Sequence, residues 1–598
     1  MRNRFFTHVI TGSILGAGLF GLATRDIQAA PAEEVIYTFT GGADGASADG
    51  VIFGKDGNLY GTTTSGGTGG LGTAFTLSPA ASGGWNKKTI YNFCSAPVAG
   101  LCPDGGYVRA PNVTFDSTGN LWGGVEALNV ANSFADAVFE LVPPATDGGT
   151  WTESKLIDFP TSALYTSWQG PFAADAQGNV YGATTGEYGF PIVGFVYGPG
   201  TVFEVSASGQ VSTLANIPGG NIGGVVFGYK GNLYGTTLQG GALVQCPNPL
   251  GGQPNPCGSI FQLSPPSTPE GAWTYATIYS FTGVDGYPFA TLVADKQGNL
   301  YGVTSSGFTS ASYYYSSSLG VVFELSPPTT SGGDWTYSQL YSFKGGTDGY
   351  YPQASLILDA AGNLYGTTSQ GGTPNCGIGA GCGTVFKLTR PATTGGAWAE
   401  AILYTFTDSD GPASSTNSNG LGSSGLVADG KGNLYGTTSF GGANNAGEVF
   451  EITGAGFVTE TPFAAFKGHL KIVFGEKPER DAFELHSEFT LGADSNGINP
   501  PKEDVTLAVG PYTATIPAGS FMGEGYGPFH FEGKINGSEV EITLEPNGTK
   551  RYEMHAAAED VDLSGVKSPV PVTLTIGDDS GTIMIRTRLH RDEVSSAE

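Results

Sequence analysis

Histidine is missing from a long central stretch of this chain. Of its six histidines, His8 lies near the N-terminus, and the other five, His469, His486, His530, His555 and His590, all follow residue 466. Residues 33–466 therefore have no means of building Ser-His-Asp or Cys-His catalysis, or a histidine-ligated metal centre. Cations are scarce as well: 26 Lys and Arg against 53 Asp and Glu give a formal net charge of -27. Nucleic acid is excluded as a partner, because neutralising phosphates needs clustered Lys and Arg. The acidity is read as a solubilising surface. After the N-terminus no apolar run reaches the about 18 residues that would span a membrane as a helix.

The opening "MRNRFFTHVITGSILGAGLFGLATRDIQAAPAEE" carries Arg2 and Arg4, an apolar run from Val9 to Ala23, and small residues up to Ala32. This pattern predicts a signal peptide over residues 1–32, and no cysteine follows the apolar run to take a lipid anchor. The protein is expected to be exported, to the periplasm, the cell surface or the medium. Cysteine is rare but patterned. Cys94 with Cys102, Cys246 with Cys257, and Cys376 with Cys382 are near neighbours in Gly- and Pro-rich stretches. They predict three loop-closing disulfides, a pairing chosen by proximity among the fifteen that six cysteines allow.

What the chain has in abundance is glycine, 96 residues of it, without a collagen period. Much of it belongs to one phrase that returns seven times. Its cores begin Gly57-Asn58, Gly119-Asn120, Gly178-Asn179, Gly231-Asn232, Gly298-Asn299, Gly362-Asn363 and Gly432-Asn433, spaced 53 to 70 residues apart. Six continue Leu/Val-Tyr-Gly and one continues Leu-Trp-Gly. An apolar run precedes each core, a "GTVFEV"-like run follows it, and a fourth run begins near a Trp, as in "WTYATIYSF". Runs of this length, rich in β-branched and aromatic residues and bounded by turn formers, are strands. The fold class is all-β, and four strands repeated seven times predict a seven-bladed β-propeller over residues 33–466. In "D-x-x-G-N", Asp116, Asp175, Asp295, Asp359 and Asp429 start a tight turn and cap it. Gly54 and Gly228 replace the Asp in two copies. The strand "EEVIYTF" (Glu33 to Phe39) matches the fourth strand of a repeat and is expected to close the ring beside Val449 to Ile452. "GFVTETPFAAF" (Gly456 to Phe466) is the weaker competitor for that edge.

With these residues in hand, the chain resembles the bacterial tandem-repeat family called GloVer, whose repeats read GNLYGTT…GG…GTVFKL. The likeness runs from about Glu34 to Phe466. It implies the repeat fold, export and a C-terminal attachment module, and no chemistry. From Lys467 the repeat stops, and alternating runs such as "DAFELHSEFTL" and "EVEITLE" predict a C-terminal β-sandwich of eight or nine strands over residues 467–598. Its histidines have no HExxH or i, i+4 spacing and are read as surface or core residues, so no metal is expected there.

The turns of the repeat alternate between two faces. One face holds the uniform D-x-x-G-N turns. The other holds the cysteine pairs, the Asp-Gly turns at Asp44, Asp104, Asp285, Asp348 and Asp410, and inserted aromatics: Trp168, Tyr188, Phe190, Tyr313, Tyr314, Tyr315, Tyr350 and Tyr351. Exposed aromatics on braced loops suit stacking on sugars. Residues 33–466 are therefore expected to form a non-enzymatic binding or adhesion protein for polysaccharide or a cell-surface protein. A two-carboxylate glycosidase in the central channel is the second expectation, although no pair stands out in the sequence. A structural envelope component is the third. Glu140, Glu204, Glu324 and Glu451 of the "VFE" runs are read as solvated strand faces. No cofactor is expected, and the Asp-Gly turns are read as turn formers rather than calcium ligands, because one loop supplies too few oxygens.

Overall fold

The structure is a computed structural model. It describes residues 31–591 apart from 98–101, 109–112, 129–133, 159–169, 185–187, 190–195, 239–244, 247–254, 283–286, 306–318, 373–380, 392–394, 408–424, 524–526 and scattered shorter stretches. The predicted signal peptide lies outside them except for its last two residues, Pro31 and Ala32. The described residues are all-β, with many four-stranded antiparallel sheets and no α-helix. Among the described residues no helix is long and apolar enough to cross a membrane.

Each repeat supplies one sheet whose strands follow in chain order. In the first, Ala46–Phe53, Leu59–Ser65, Thr73–Pro79 and Trp85–Asn92 pair in sequence. The sheet of the seventh repeat differs, because it takes its outer strand from the start of the chain. Ala32–Thr38 pairs antiparallel with Glu448–Thr453, with Val35 opposite Phe450. This is the edge that "EEVIYTF" was expected to fill. The competing segment goes elsewhere: the Gly456 carbonyl accepts from the Tyr365 hydroxyl (2.7 Å), the Val458 N–H donates to the Asp359 carboxylate (3.3 Å), and the Val458 carbonyl accepts from the Ala360 N–H (2.9 Å).

The repeated phrase can now be read atom by atom. Its first glycine has positive φ in all seven copies, from 73° to 94°, the left-handed conformation that closes the hairpin. The Asp before it accepts from backbone and side chain together. Asp295 Oδ1 takes the N–H groups of Gln297 and Asn299, and its Oδ2 takes the Asn299 amide and the Tyr301 hydroxyl, all at 2.8 to 3.0 Å. The tyrosine's part in this cap is not visible in the sequence. Where Gly54 stands in place of the Asp, Asp56 takes over, accepting from Asn58 and the Tyr60 hydroxyl. Only the Gly228 copy lacks an acid, and there Asn232 donates to the Tyr234 hydroxyl (3.3 Å).

Leu and Tyr of the phrase point to opposite faces and so belong to different cores. Leu59 packs with the seventh sheet and Tyr60 with the second. Likewise Leu364 packs toward the fifth sheet and Tyr365 toward the seventh. Tryptophans opening the fourth strands complete these layers: Trp151 meets Tyr60, Trp273 meets Tyr181 and Trp85 meets Tyr435, with ring centroids 5.8 to 6.2 Å apart. The last glycine of the phrase makes room. A Cβ at Gly61, Gly123, Gly182, Gly235, Gly302, Gly366 or Gly436 would stand 2.4 to 2.8 Å from the ring of the Phe opposite. The phrase recurs because each of its residues solves a packing problem that recurs with every sheet.

Beyond Thr461 two further sheets share one core. One orders Thr461–Pro462, Asp579–Ile585, Val570–Ile576, Val505–Val509 and Tyr512–Ile516. The other orders Phe529–Ile535, Ser538–Pro546, Arg551–Val561, Asp481–Thr490, Ala465–Phe474 and Leu589–Arg591. Strict burial alternation, as in Val505–Val509 and Tyr512–Ile516, sends Val505, Leu507, Ala514 and Ile516 into that core. This is more strands than the pattern predicts. Edge pieces as short as Thr461–Pro462 are too brief to show a period.

Candidate functional site

The face that carries the sequence variation was the expected site. Trp168, Phe190 and Tyr313 to Tyr315 lie outside the described residues. Tyr188 is placed by its backbone alone, in a two-residue strand opposite Tyr197. Tyr350 and Tyr351 are described: their rings stand 5.2 Å apart, both are half-buried, and Tyr350 packs against the core between the fifth and sixth sheets. Cys94 and Cys102 form a disulfide. Cys257 and Cys382 are disulfide-bonded and buried, while Cys246 is placed by backbone only and Cys376 lies outside the described residues.

The Asp-Gly turns acquire a chemistry that the sequence does not show. The strand leading into each described turn ends in a tyrosine whose hydroxyl reaches back to the turn's Asp: Tyr37 to Asp44 (2.9 Å), Tyr91 to Asp104 (3.2 Å) and Tyr341 to Asp348 (2.6 Å). The neighbouring sheet then sends in the second residue after its tryptophan, a position that varies. It is Lys87 beside Asp44, Glu153 beside Asp104 and Glu400 beside Asp348. Burial pushes the Lys87 ammonium down to about 8, against the pull of Asp44. Its Nζ donates to the Asp44 carbonyl (2.6 Å) and to Thr89 (2.7 Å).

In the second of these niches two carboxyl groups meet on one phenol. The Tyr91 hydroxyl lies 3.2 Å from Asp104 Oδ2 and 3.5 Å from Glu153 Oε2. Those two oxygens are therefore no more than about 7 Å apart, close enough for the two carboxyls to share one bound group. A hydroxyl carries one proton, so it donates to one acid, and the other is satisfied only by being protonated and donating in return. Burial and the nearby Asp104 push Glu153 up to about 7. Burial and the two acids hold the phenol well above its own usual range. Asp104 Oδ1 and Glu153 Oε1 are buried without a partner among the described residues. Glu400 repeats the pattern, pushed up to about 7 by burial and Asp348. Such a pair can hold one proton and pass it on. Aligning the residue after each Trp with the next Asp-Gly turn is the sequence signal that would have found it.

Other readings are revised. The "VFE" glutamates are not solvated faces: Glu140 is buried and accepts from Asn120 (2.8 Å), and half-buried Glu451 accepts from the Tyr435 hydroxyl (2.8 Å). Their partners belong to the repeated phrase, Asn120 of the second copy and Tyr435 of the seventh. On the first strand of the first sheet, Asp49 is 3% exposed and its Oδ2 has no partner among the described residues. Burial pushes this carboxyl well above the carboxylate range. On the opposite, uniform face, a cleft of about 420 Å³ lies between the fifth and sixth turns and the C-terminal sheets, lined by Asp295, Lys296, Asp359, Arg390, Phe457 and Asp504 among others. Asp295 and Asp359 already accept from their own turns there, so the cleft seats the connecting segment and has no spare acid–base pair on those turns.

Among solved structures, the chain is similar to a sialidase from Trypanosoma rangeli in complex with sialic acid, at 10% identity and a TM-score of 0.32, over 87% of this chain and 92% of that one. It is also similar to a Bombyx mori GH32 β-fructofuranosidase, at 8% identity and a TM-score of 0.27, over 89% and 83%. A third is a glucose dehydrogenase, at 11% identity and a TM-score of 0.30, over 70% and 99%. These neighbours are named as enzymes, against the expectation of a non-enzymatic protein; at TM-scores of 0.27 to 0.32 the likeness carries no argument about what this chain does. No protein of curated function matches it. The Gloeobacter/Verrucomicrobia repeat model matches residues 187–378 and 249–498, together just over half of the length, and the chain belongs to that family.

Proposed function

We propose that the seven repeat sheets are the blades of a β-propeller, that the C-terminal sheets form a sandwich, and that the protein is exported and acts on polysaccharide as a two-carboxylate glycoside hydrolase. The observation that carries the reading is the Tyr91–Asp104–Glu153 niche, in which one carboxyl is tuned to about 7 beside a second. A general acid works best with a pKa near the working pH. Glu153 gives its proton to the glycosidic oxygen as the bond to the anomeric carbon breaks. Asp104 faces the developing positive charge, and water then adds to the anomeric carbon as its proton returns to a carboxylate. The Cys94–Cys102 bridge supports this role, since it closes the loop immediately before Asp104. The niche lies between neighbouring sheets, not in the central channel where a pair was expected.

The test is a polysaccharide panel scored for newly released reducing ends. Cleavage of at least one member is expected, with Glu153→Gln and Asp104→Asn each lowering the rate roughly 100-fold or more and leaving the unfolding temperature within a few degrees of wild type. Absence of product from every glycan, or full activity in Glu153→Gln, rules the reading out.

A further inference from the structure

Three histidines stand in one row across the outer face of the six-stranded C-terminal sheet. His469 is directly opposite His486, and His486 is directly opposite His555, so three adjacent strands each bring an imidazole to one level. Leu485 and Ser487 are buried, which turns His486 outward. Glu484 precedes His486 by two residues and shares its face. Its Oε1 lies 3.2 Å from His486 Nε2 and 3.6 Å from His555 Nε2, and the two imidazole centroids are 4.4 Å apart. Lys471 approaches only the other carboxylate oxygen, at 3.9 Å.

We propose that His486, His555 and Glu484 form a site for a divalent transition metal ion of the zinc, copper and nickel class. Nitrogen and oxygen ligands about 2.0 to 2.2 Å from a tetrahedral ion stand roughly 3.4 Å from one another. The two measured spacings lie on either side of that value. One donor atom from each of the three residues falls within 4.8 Å of the others, so rotation of side chains completes the site without moving backbone. Two imidazoles and one carboxylate favour this class over calcium and magnesium, which take oxygen ligands. Three protein ligands leave a position open to water or to a donor on another molecule. Sequence spacing hides the site because its imidazoles come from different strands. The proposal does not depend on the carbohydrate reading, since no residue is shared.

Zinc alone, titrated calorimetrically into the untagged protein, tests it. One site of micromolar affinity is expected, weakened roughly tenfold or more by His486→Ala or His555→Ala and unchanged by His530→Ala on the same sheet. Zinc should also raise the unfolding temperature of wild type and not that of the His486→Ala, His555→Ala double variant, because the ion joins two strands. All three substitutions are on solvent-facing positions, and circular dichroism of the zinc-free variants checks the fold. Absent binding at 100-fold excess zinc, or equal binding by wild type and the double variant, overturns the proposal.

Discussion

At the scale of single residues, the repeated phrase is a record of steric and hydrogen-bonding demands. Its final glycine is the sharpest case. In all seven copies the third-strand phenylalanine occupies the space a side chain would need. At Gly366, the ring of Phe386 would be 2.7 Å from an added Cβ, and Leu356 nearly as close. Gly366→Ala is expected to cost roughly 1–3 kcal/mol by overpacking, measurable as a lower midpoint in urea with an unchanged slope. Gly57, with nothing within 4 Å, is restricted by its φ of 77° alone. The sequence displays the two glycines alike, and only the backbone tells them apart.

At the scale of elements, the alternation of apolar runs made the strands legible, and the match of "EEVIYTF" to a fourth strand made the terminal pairing legible too. That strand covers the outer edge of Glu448–Thr453 and brings Phe39, fully buried, against Phe75 of the first sheet at 5.2 Å. Removing residues 31–39 should therefore uncover both an open strand edge and a core. A fall in unfolding temperature of about 10 °C or more is expected, partly restored by a peptide of residues 31–40 added in trans. An unchanged transition would show that the last sheet is complete without it. Elements of two or three residues were not legible, because they are shorter than any period.

At the scale of the whole molecule, acidity and burial combine into a pH dependence. Asp49 is buried, and Glu153 and Glu400 are pushed up to about 7. A carboxyl whose folded pKa is raised binds more protons when folded than when unfolded. Stability then falls as pH rises from the unfolded value near 4 to the folded one. Asp116 acts with the opposite sign. Burial alone would raise it, but donors from Trp122, Thr118 and Asn120 outweigh burial and hold it low, so its contribution is present above the unfolded pKa and is lost in acid. The net charge of -27 adds repulsion on the alkaline side. The unfolding temperature is expected to peak near pH 5 and to decline steadily toward pH 8. Asp49→Ala, which copies Ala290 and Ala354 at the same place in the fifth and sixth repeats, should flatten that decline and add roughly 1–3 kcal/mol at pH 8. A thermal melt series from pH 4 to 9 for both proteins decides this; a flat wild-type profile would contradict it.

The sequence by itself determined the all-β class, the repeat and its turns, the terminal strand that completes the last sheet and the Cys94–Cys102 bridge. Each depends on residues adjacent in the chain or on a pattern that local periodicity carries. Only the tertiary structure decided where the acids and imidazoles meet. Tyr91 and Glu153 come from two sheets and Asp104 from the turn between them, and Glu484, His486 and His555 come from two strands far apart in sequence. Sheet packing and strand register, which no local pattern encodes, bring each set together.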